Sequence, residues 1–401
     1  MSYSELAKQA QQILPELQQN RRDLHQIPEF GMELPKTLAY VVGQVEGLGE
    51  LTVNHQLSAA ALLIKGEKPG PTVLLRADMD ALAVIEDTGV EFASTNGYMH
   101  ACGHDLHMAI GIGAARLLHA NRSQLAGNVV VWFQPGEEGH GGADQMLEAN
   151  MHLVSGTKPI NSYGIHVFSS APLGIFTSRK GPLMASAGDI TVKFTGAGGH
   201  GSMPWLSKDP ISVMAQSIGA IQNLISKRFS PFDPVIVNVG WVRAGDDHTT
   251  NVIPETASFG GTIRTFSDKN FVAIREALAA LMDSQAAAAG LTVEYEFSPS
   301  SQVLYNDAAA IDRVVRVTEQ TLGTGRYENL PDPIPGGEDM ASILKEMPGA
   351  FIFLGACPPD KDFAKAATNH SNKAVFDDSV VGDGAALLAA LAIDTLTSPQ
   401  G

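Results

Sequence analysis

The chain has 401 residues, 44% hydrophobic and 17% charged, with a formal net charge of −16 at pH 7. That composition excludes a disordered chain, and the lack of a run of about eighteen apolar residues speaks against a membrane span. The acidic balance argues against a protein that tracks nucleic-acid phosphates, since such binding needs clustered Lys and Arg.

At this length about two domains are expected. Residues 1–24 alternate apolar and charged positions as an amphipathic helix does and lack the continuous apolar stretch of a signal peptide, so a cytoplasmic protein is expected. The two cysteines, Cys102 and Cys357, are far apart, which rules against a disulfide framework and is consistent with a reducing compartment. Short apolar runs at 72–76, 128–134, 163–168 and 350–355 alternate with helix-like segments, the pattern of a largely parallel sheet covered on both faces. The first run is followed by Asp78 and Asp80, the second by Glu137 and Glu138, and the third holds His166 near its end. Open α/β sheets bind ligands beyond the carboxyl ends of their strands, so these residues fall where a site is expected.

Between 187 and 298 the character changes. A strand is predicted at 190–195, a helix opened by Asp209-Pro210 and running to about 226, strands near 235–242 and 257–265, a long helix capped by Asp268, and a strand at 291–297. That order, β-α-β-β-α-β, predicts a ferredoxin-like α+β domain inserted into an α/β domain. The expected division is 1–186 and 299–401 for the sheet domain and 187–298 for the insertion, with a last helix from 378 to about 396.

The segment His100-Ala101-Cys102-Gly103-His104-Asp105 sets a thiol and an imidazole two residues apart around a glycine that permits irregular backbone. A buried structural Cys, or a Cys-His nucleophile pair, are the competing readings; partners of such a pair normally meet across the fold rather than in adjacent positions. Glu137-Glu138 follows an apolar strand and is surrounded by Gly136, Gly139, Gly141 and Gly142, which predicts a tight turn from which neighbouring side chains diverge. With His166 and His370 the inventory is one sulfur, three imidazoles and two carboxylates, which suits two divalent cations and a general base. Gly196-Ala197-Gly198-Gly199-His200-Gly201 fits a dinucleotide template, but Met203-Pro204-Trp205 interrupts any immediate helix, so the loop is read as one that presents His200 to a ligand.

These motifs resemble those of the M20 metallopeptidases, and of the amidohydrolase branch that holds hippurate hydrolases, N-acyl-amino-acid amidohydrolases and auxin-conjugate hydrolases. The resemblance runs from Arg21-Arg22-Asp23-Leu24-His25 through Arg76-Ala77-Asp78-Met79-Asp80, the Cys-Gly-His-Asp segment, Gln134-Pro135-Gly136-Glu137-Glu138-Gly139 and Asn251-Val252-Ile253-Pro254 to Gly336-Gly337-Glu338-Asp339. It implies a zinc-peptidase-like catalytic domain with an inserted dimerisation and lid domain, and a homodimer. It implies that Cys102 bridges two metal ions, Zn²⁺ or Mn²⁺ with Co²⁺ or Ni²⁺ as further candidates, that His104 and His166 complete one site, and that Glu138 and His370 complete the other. Glu137 would be the general base, His200 would reach the partner subunit's active site, and Asn251 and Arg264 would bind substrate. Asp80, with Asp105 as its rival, would support the ligands. His140 departs from the pattern, which leads one to expect another small residue there.

The reaction so implied is hydrolysis of an N-acyl amino acid. A dipeptidase or aminopeptidase is the alternative within enzymes, and a silent metal-binding or ligand-binding protein the alternative outside them. The inserted domain is expected to close over substrate by flexing near 185–188 and 298–301.

Overall fold

The computed structural model describes residues 2–298 and 301–397, so two residues of the second expected hinge, 299 and 300, lie outside the described residues. The chain divides into two compact units, one made of Met1–Leu183, Tyr305–Asp332 and Asp339–Gly401, the other of Met184–Leu304 and Pro333–Glu338. The fold is mixed α/β with an inserted α+β unit, and the short 333–338 segment belongs with the insertion.

In the first unit, eight strands among the described residues run in the order Glu50–Asn54, Ala59–Lys65, Ala126–Gln134, Lys68–Asp78, Asn161–Phe168, Gly349–Gly355, Phe176–Ser178, Tyr327–Asn329. The four central strands pair in parallel, and antiparallel neighbours join on both sides. The central strands are buried over most of their length, Lys68–Asp78 only from Thr72 onward, as a sheet covered on both faces requires. The helices Tyr3–His25, His104–Ala120 and Val380–Thr397 pack together and cover it with small and branched residues. Val380–Thr397 is apolar and long enough to cross a membrane by composition, yet 89% of it is buried within the fold.

The second unit has a four-stranded antiparallel sheet in the order Val235–Ala244, Thr256–Thr265, Ser186–Thr195, Thr292–Phe297, with the helices Pro210–Arg228 and Asp268–Ala289 packed on it. This is the expected ferredoxin-like order. Asp209 caps its helix as predicted, accepting from the Ile211 N–H at 2.9 Å. The cap of the second helix is Ser267 rather than Asp268: its hydroxyl accepts from the Asn270 N–H at 3.2 Å, and Asp268 occupies the first turn instead. The first expected hinge, 185–188, is bonded backbone here, with Ala185 N–H donating to Ile334 O at 3.0 Å and Ala187 N–H to Ser301 O at 3.1 Å.

Candidate active site

The site forms at the carboxyl ends of the Lys68–Asp78, Ala126–Gln134 and Asn161–Phe168 strands. Gly103 makes the first part of it possible: its φ of +87° turns the chain into the His104–Ala120 helix, and a Cβ there would sit 2.4 Å from Val167 Cγ2. Cys102 Sγ then lies 3.3 Å from His166 Nε2 and 3.3 Å from His370 Nε2, while His370 Nε2 is 3.2 Å from Glu138 Oε1. The donor atoms of Cys102, His104 and His166 lie within 4.8 Å of one another, and so do those of Cys102, Glu138 and His370. Two donor sets therefore share one sulfur.

Tautomers follow from the remaining bonds. His104 Nδ1 donates to Asp80 O at 2.8 Å and His166 Nδ1 donates to Val167 O at 2.9 Å, which leaves each Nε2 as the nitrogen available to a cation. His104 Nε2 is buried and makes no hydrogen bond, while Glu138 Oε1 meets only His370 Nε2, at 3.2 Å. Buried polar atoms without partners are rare, and a soft sulfur with imidazole and carboxylate is a donor set for divalent cations, so the residues fit such ions.

Asp80 organises the carboxylate turn. Its two oxygens accept the backbone N–H groups of Glu137 and Glu138, each at 3.0 Å. Gly136, Gly139 and Gly141 all adopt positive φ, the tight turn that the glycines predicted. Glu137 Oε2 comes 3.9 Å from His104 Nε2. Asp105, the rival to Asp80, turns away from the site and pairs with Arg21 Nε at 2.7 Å and His25 Nδ1 at 2.8 Å.

The family model for Peptidase family M20/M25/M40 matches residues 74–394. The chain belongs to that family. This M20 protein is 35% identical over 381 residues to thermostable carboxypeptidase 1 of Saccharolobus solfataricus, covering 94% of each chain. It is 35% identical over 342 residues to N-acetylcysteine deacetylase of Bacillus subtilis, covering 84% of this chain and 87% of that one. Among solved structures it resembles the Bacillus subtilis YxeP protein, described as a dinuclear metal-binding peptidase of the M20 family, with a TM-score of 0.80, 29% identity, and coverage of 97% of this chain and 100% of that chain.

Three features of this M20 chain were not legible as site residues in its sequence. His107 Nδ1 donates to Asp78 Oδ1 at 2.5 Å, and its Nε2 accepts the Val167 N–H at 2.8 Å. Both nitrogens are committed, so His107 is no metal ligand although Asp78, His104 and His107 bring donor atoms together. Its ring instead packs 5.3 Å from that of His104 and 4.9 Å from that of His166. Spacing offered the one available signal, since His104 and His107 are three apart and share a face on the His104–Ala120 helix. Second, Arg76 is buried and donates to Asp78 Oδ2 at 2.6 Å, Asp339 Oδ1 at 2.8 Å and Gln134 Oε1 at 2.9 Å, tying together motifs remote in sequence. Third, Asn369 Nδ2 donates to Cys102 O at 3.1 Å and Val167 O at 2.9 Å, and His370, at φ +71°, donates its N–H to Ala101 O at 2.9 Å. A non-glycine residue at positive φ persists only where its surroundings hold it.

Burial pushes the Cys102 thiol up to about 12 and, with the neighbouring His107, holds His166 well below the ordinary imidazole value. Burial also opposes charge on Asp78 and His104, but the Arg76 guanidinium and the two imidazoles keep Asp78 well below the carboxylate range, while Asp78 and Cys102 hold His104 well above the imidazole range. A bound cation inverts this logic for thiol and imidazole, because each ligand gives up its proton on binding.

In the inserted unit His200 lies on a two-residue strand opposite Val252, beside Asn251, and no helix follows directly, so the glycine loop is not a dinucleotide fingerprint. His200 Nδ1 accepts the Ser202 N–H at 3.2 Å, which puts the ring proton on Nε2. Arg264 Nη1 donates to Ile263 O at 2.9 Å and Gly188 O at 3.3 Å.

Proposed function

We propose that this M20 protein is a metal-dependent amidohydrolase that cleaves the amide bond of N-acyl-L-amino acids to a carboxylic acid and a free amino acid. The observation that carries this reading is the Asp80-held turn, which sets Glu137 beside Glu138 at the edge of two donor sets joined through Cys102. The relatives point the same way: a deacetylase of N-acetylcysteine and a carboxypeptidase both break an amide whose nitrogen belongs to an amino acid with a free carboxylate.

In this reading His104 and His166 would hold one divalent cation and Glu138 and His370 a second, with Cys102 available to both. Sulfur with imidazole suits Zn²⁺, and Mn²⁺, Co²⁺ or Ni²⁺ can act under suitable supply. What such ions supply when bound is Lewis acidity, which makes the attacking water acidic and polarises the amide carbonyl. Glu137 takes the proton of the attacking water and then delivers it to the leaving nitrogen, so that the amine departs neutral. His200 of the partner subunit donates Nε2–H to the oxyanion, and Asn251 and Arg264 bind the substrate's carboxylate or amide. Dimerisation through the inserted unit is supported by its edge strand Val235–Ala244, where Ile236, Trp241 and Val242 are exposed. The catalytic work is assigned to the sheet unit and closure over substrate to the inserted one, in a cytoplasmic homodimer.

The test is release of free amino acid from N-acetyl, N-benzoyl, indoleacetyl and long-chain acyl amino acids, N-blocked dipeptides and unblocked dipeptides, using metal-stripped protein and protein restored with Zn²⁺ or Mn²⁺. Metal-dependent cleavage of blocked substrates is expected. Cleavage of unblocked dipeptides alone would transfer the protein to the free-amine peptidases, and tightly bound metal without any turnover would mark a binding role.

A further inference from the structure

His140, which departs from the family pattern just after Glu137-Glu138-Gly139, does not stand alone. Phe30 meets its ring edge-on, with centroids 5.0 Å apart and planes at 89°, and Tyr98 lies nearly parallel to Phe30 at 6.0 Å and 10°. Phe30 is 41% exposed, Tyr98 is 37% exposed, and His140 is exposed too. Single exposed aromatic residues are ordinary, whereas Phe30 in contact with both Tyr98 and His140, the latter three residues from a candidate base, forms a patch that asks for an occupant.

One short segment, Asp80-Ala81-Leu82, anchors all three rings and the base. Asp80 holds the N–H groups of Glu137 and Glu138. Ala81 donates its N–H to Glu29 O at 2.8 Å, next to Phe30, and Leu82 exchanges two hydrogen bonds with Met99, next to Tyr98, each at 3.0 Å. Asn96 Nδ2 donates to Pro28 O at 2.8 Å and ties the Phe30 and Tyr98 segments to each other. His140 follows Glu137 by three residues, so its Cα lies within about 11 Å of that of the base by chain length alone. Gly31 makes room for the imidazole: a Cβ there would come within 3.2 Å of His140 Nε2. The arrangement is thus built on the backbone that positions the chemistry.

We infer that this ledge of Tyr98, Phe30 and His140 receives the acyl half of the substrate and favours planar aromatic acyl groups over acetyl. The inference rests on the amidohydrolase reading and names its substrate class. Aromatic rings attract one another edge-on or offset, beyond the area they bury, so a ledge of rings rewards a ring in the acyl group and offers a methyl little. The amino-acid half, with its carboxylate, calls for charge-assisted donors, which Phe30 and Tyr98 do not supply.

The experiment compares kcat/KM for matched N-benzoyl and N-acetyl derivatives of one amino acid in the wild-type protein, His140→Ala and Phe30→Leu, with melting temperatures recorded for each. The wild type is expected to prefer benzoyl, and each substitution to lower the benzoyl-to-acetyl ratio about tenfold. A ratio unchanged in both folded variants, or a wild type that prefers acetyl, overturns the ledge while leaving amide hydrolysis intact. If the wild type cleaves neither of these nor the indoleacetyl and long-chain acyl amino acids, the amidohydrolase reading fails, and saturation-transfer NMR with benzoate then tests the ledge by itself. Transfer that both substitutions abolish supports an aromatic subsite, and no transfer to the wild type overturns it.

Discussion

The two donor sets that meet at Cys102 are built differently. On one side Cys102, His104 and His166 are 6%, 0% and 7% exposed, and both imidazoles are oriented by backbone carbonyls at strand ends. On the other, the His370 side chain is 55% exposed and that of Glu138 is 13% exposed, and His370 sits on a loop tethered through Asn369. The first set is part of the sheet's core and is fixed when that core forms. The second depends on a loop closing onto it, with a residue at positive φ as the cost of reaching the sulfur. A site made this way should hold one cation firmly and the other more loosely.

The largest effect is expected from a residue that belongs to neither side. Glu137→Gln should lower kcat by about 10²–10⁴ while metal content, measured by elemental analysis, stays at the wild-type level. Near-normal turnover would remove Glu137 as the base, and loss of metal would make it a ligand. Next comes His107, which braces the buried side alone through Asp78, the Val167 N–H and its packing on the rings of His104 and His166. His107→Leu should weaken the tighter of two steps in calorimetric titration of the metal-stripped protein by about 10–100-fold, with partial rescue in His107→Gln, which keeps a donor and an acceptor. Equal weakening of both steps would erase the contrast between the two sides.

The same contrast explains what could be read from the sequence. Glu137 and Glu138 stand where an apolar strand stops and glycines begin, and Cys102 and His104 flank a glycine, so local pattern makes all four candidates. The parallel strands and the inserted β-α-β-β-α-β order follow from hydrophobic period and caps in the same way. Arg76, Asn369 and His107 act through partners far away in the chain, at Asp339, at Cys102 and Val167, and at Asp78. A buried arginine bonded to three side chains looks in sequence like any charge beside a strand. The cap at Ser267 was missed for a local reason, because Ser and Asp are both good caps and stand side by side.

The smallest effect concerns the exposed side without metal. The hydrogen bond to Glu138 raises His370 above its ordinary value of 6.5. A raised folded-state pKa means that the protonated form is the one folding favours. The pair therefore contributes fully below about pH 6.5, and its contribution fades as pH rises through the raised value. Because the imidazole is more than half exposed, solvent screening keeps this below about 1 kcal/mol. Melting temperatures of metal-stripped wild type and His370→Ala should thus differ most in mild acid and converge as the solution becomes alkaline. With Zn²⁺ present the order should reverse, since a proton on His370 competes with the ion and the wild type's advantage then grows with pH. A difference with the same pH trend in both conditions would show that His370 acts through packing alone, and the loop side of the site would lose its ligand.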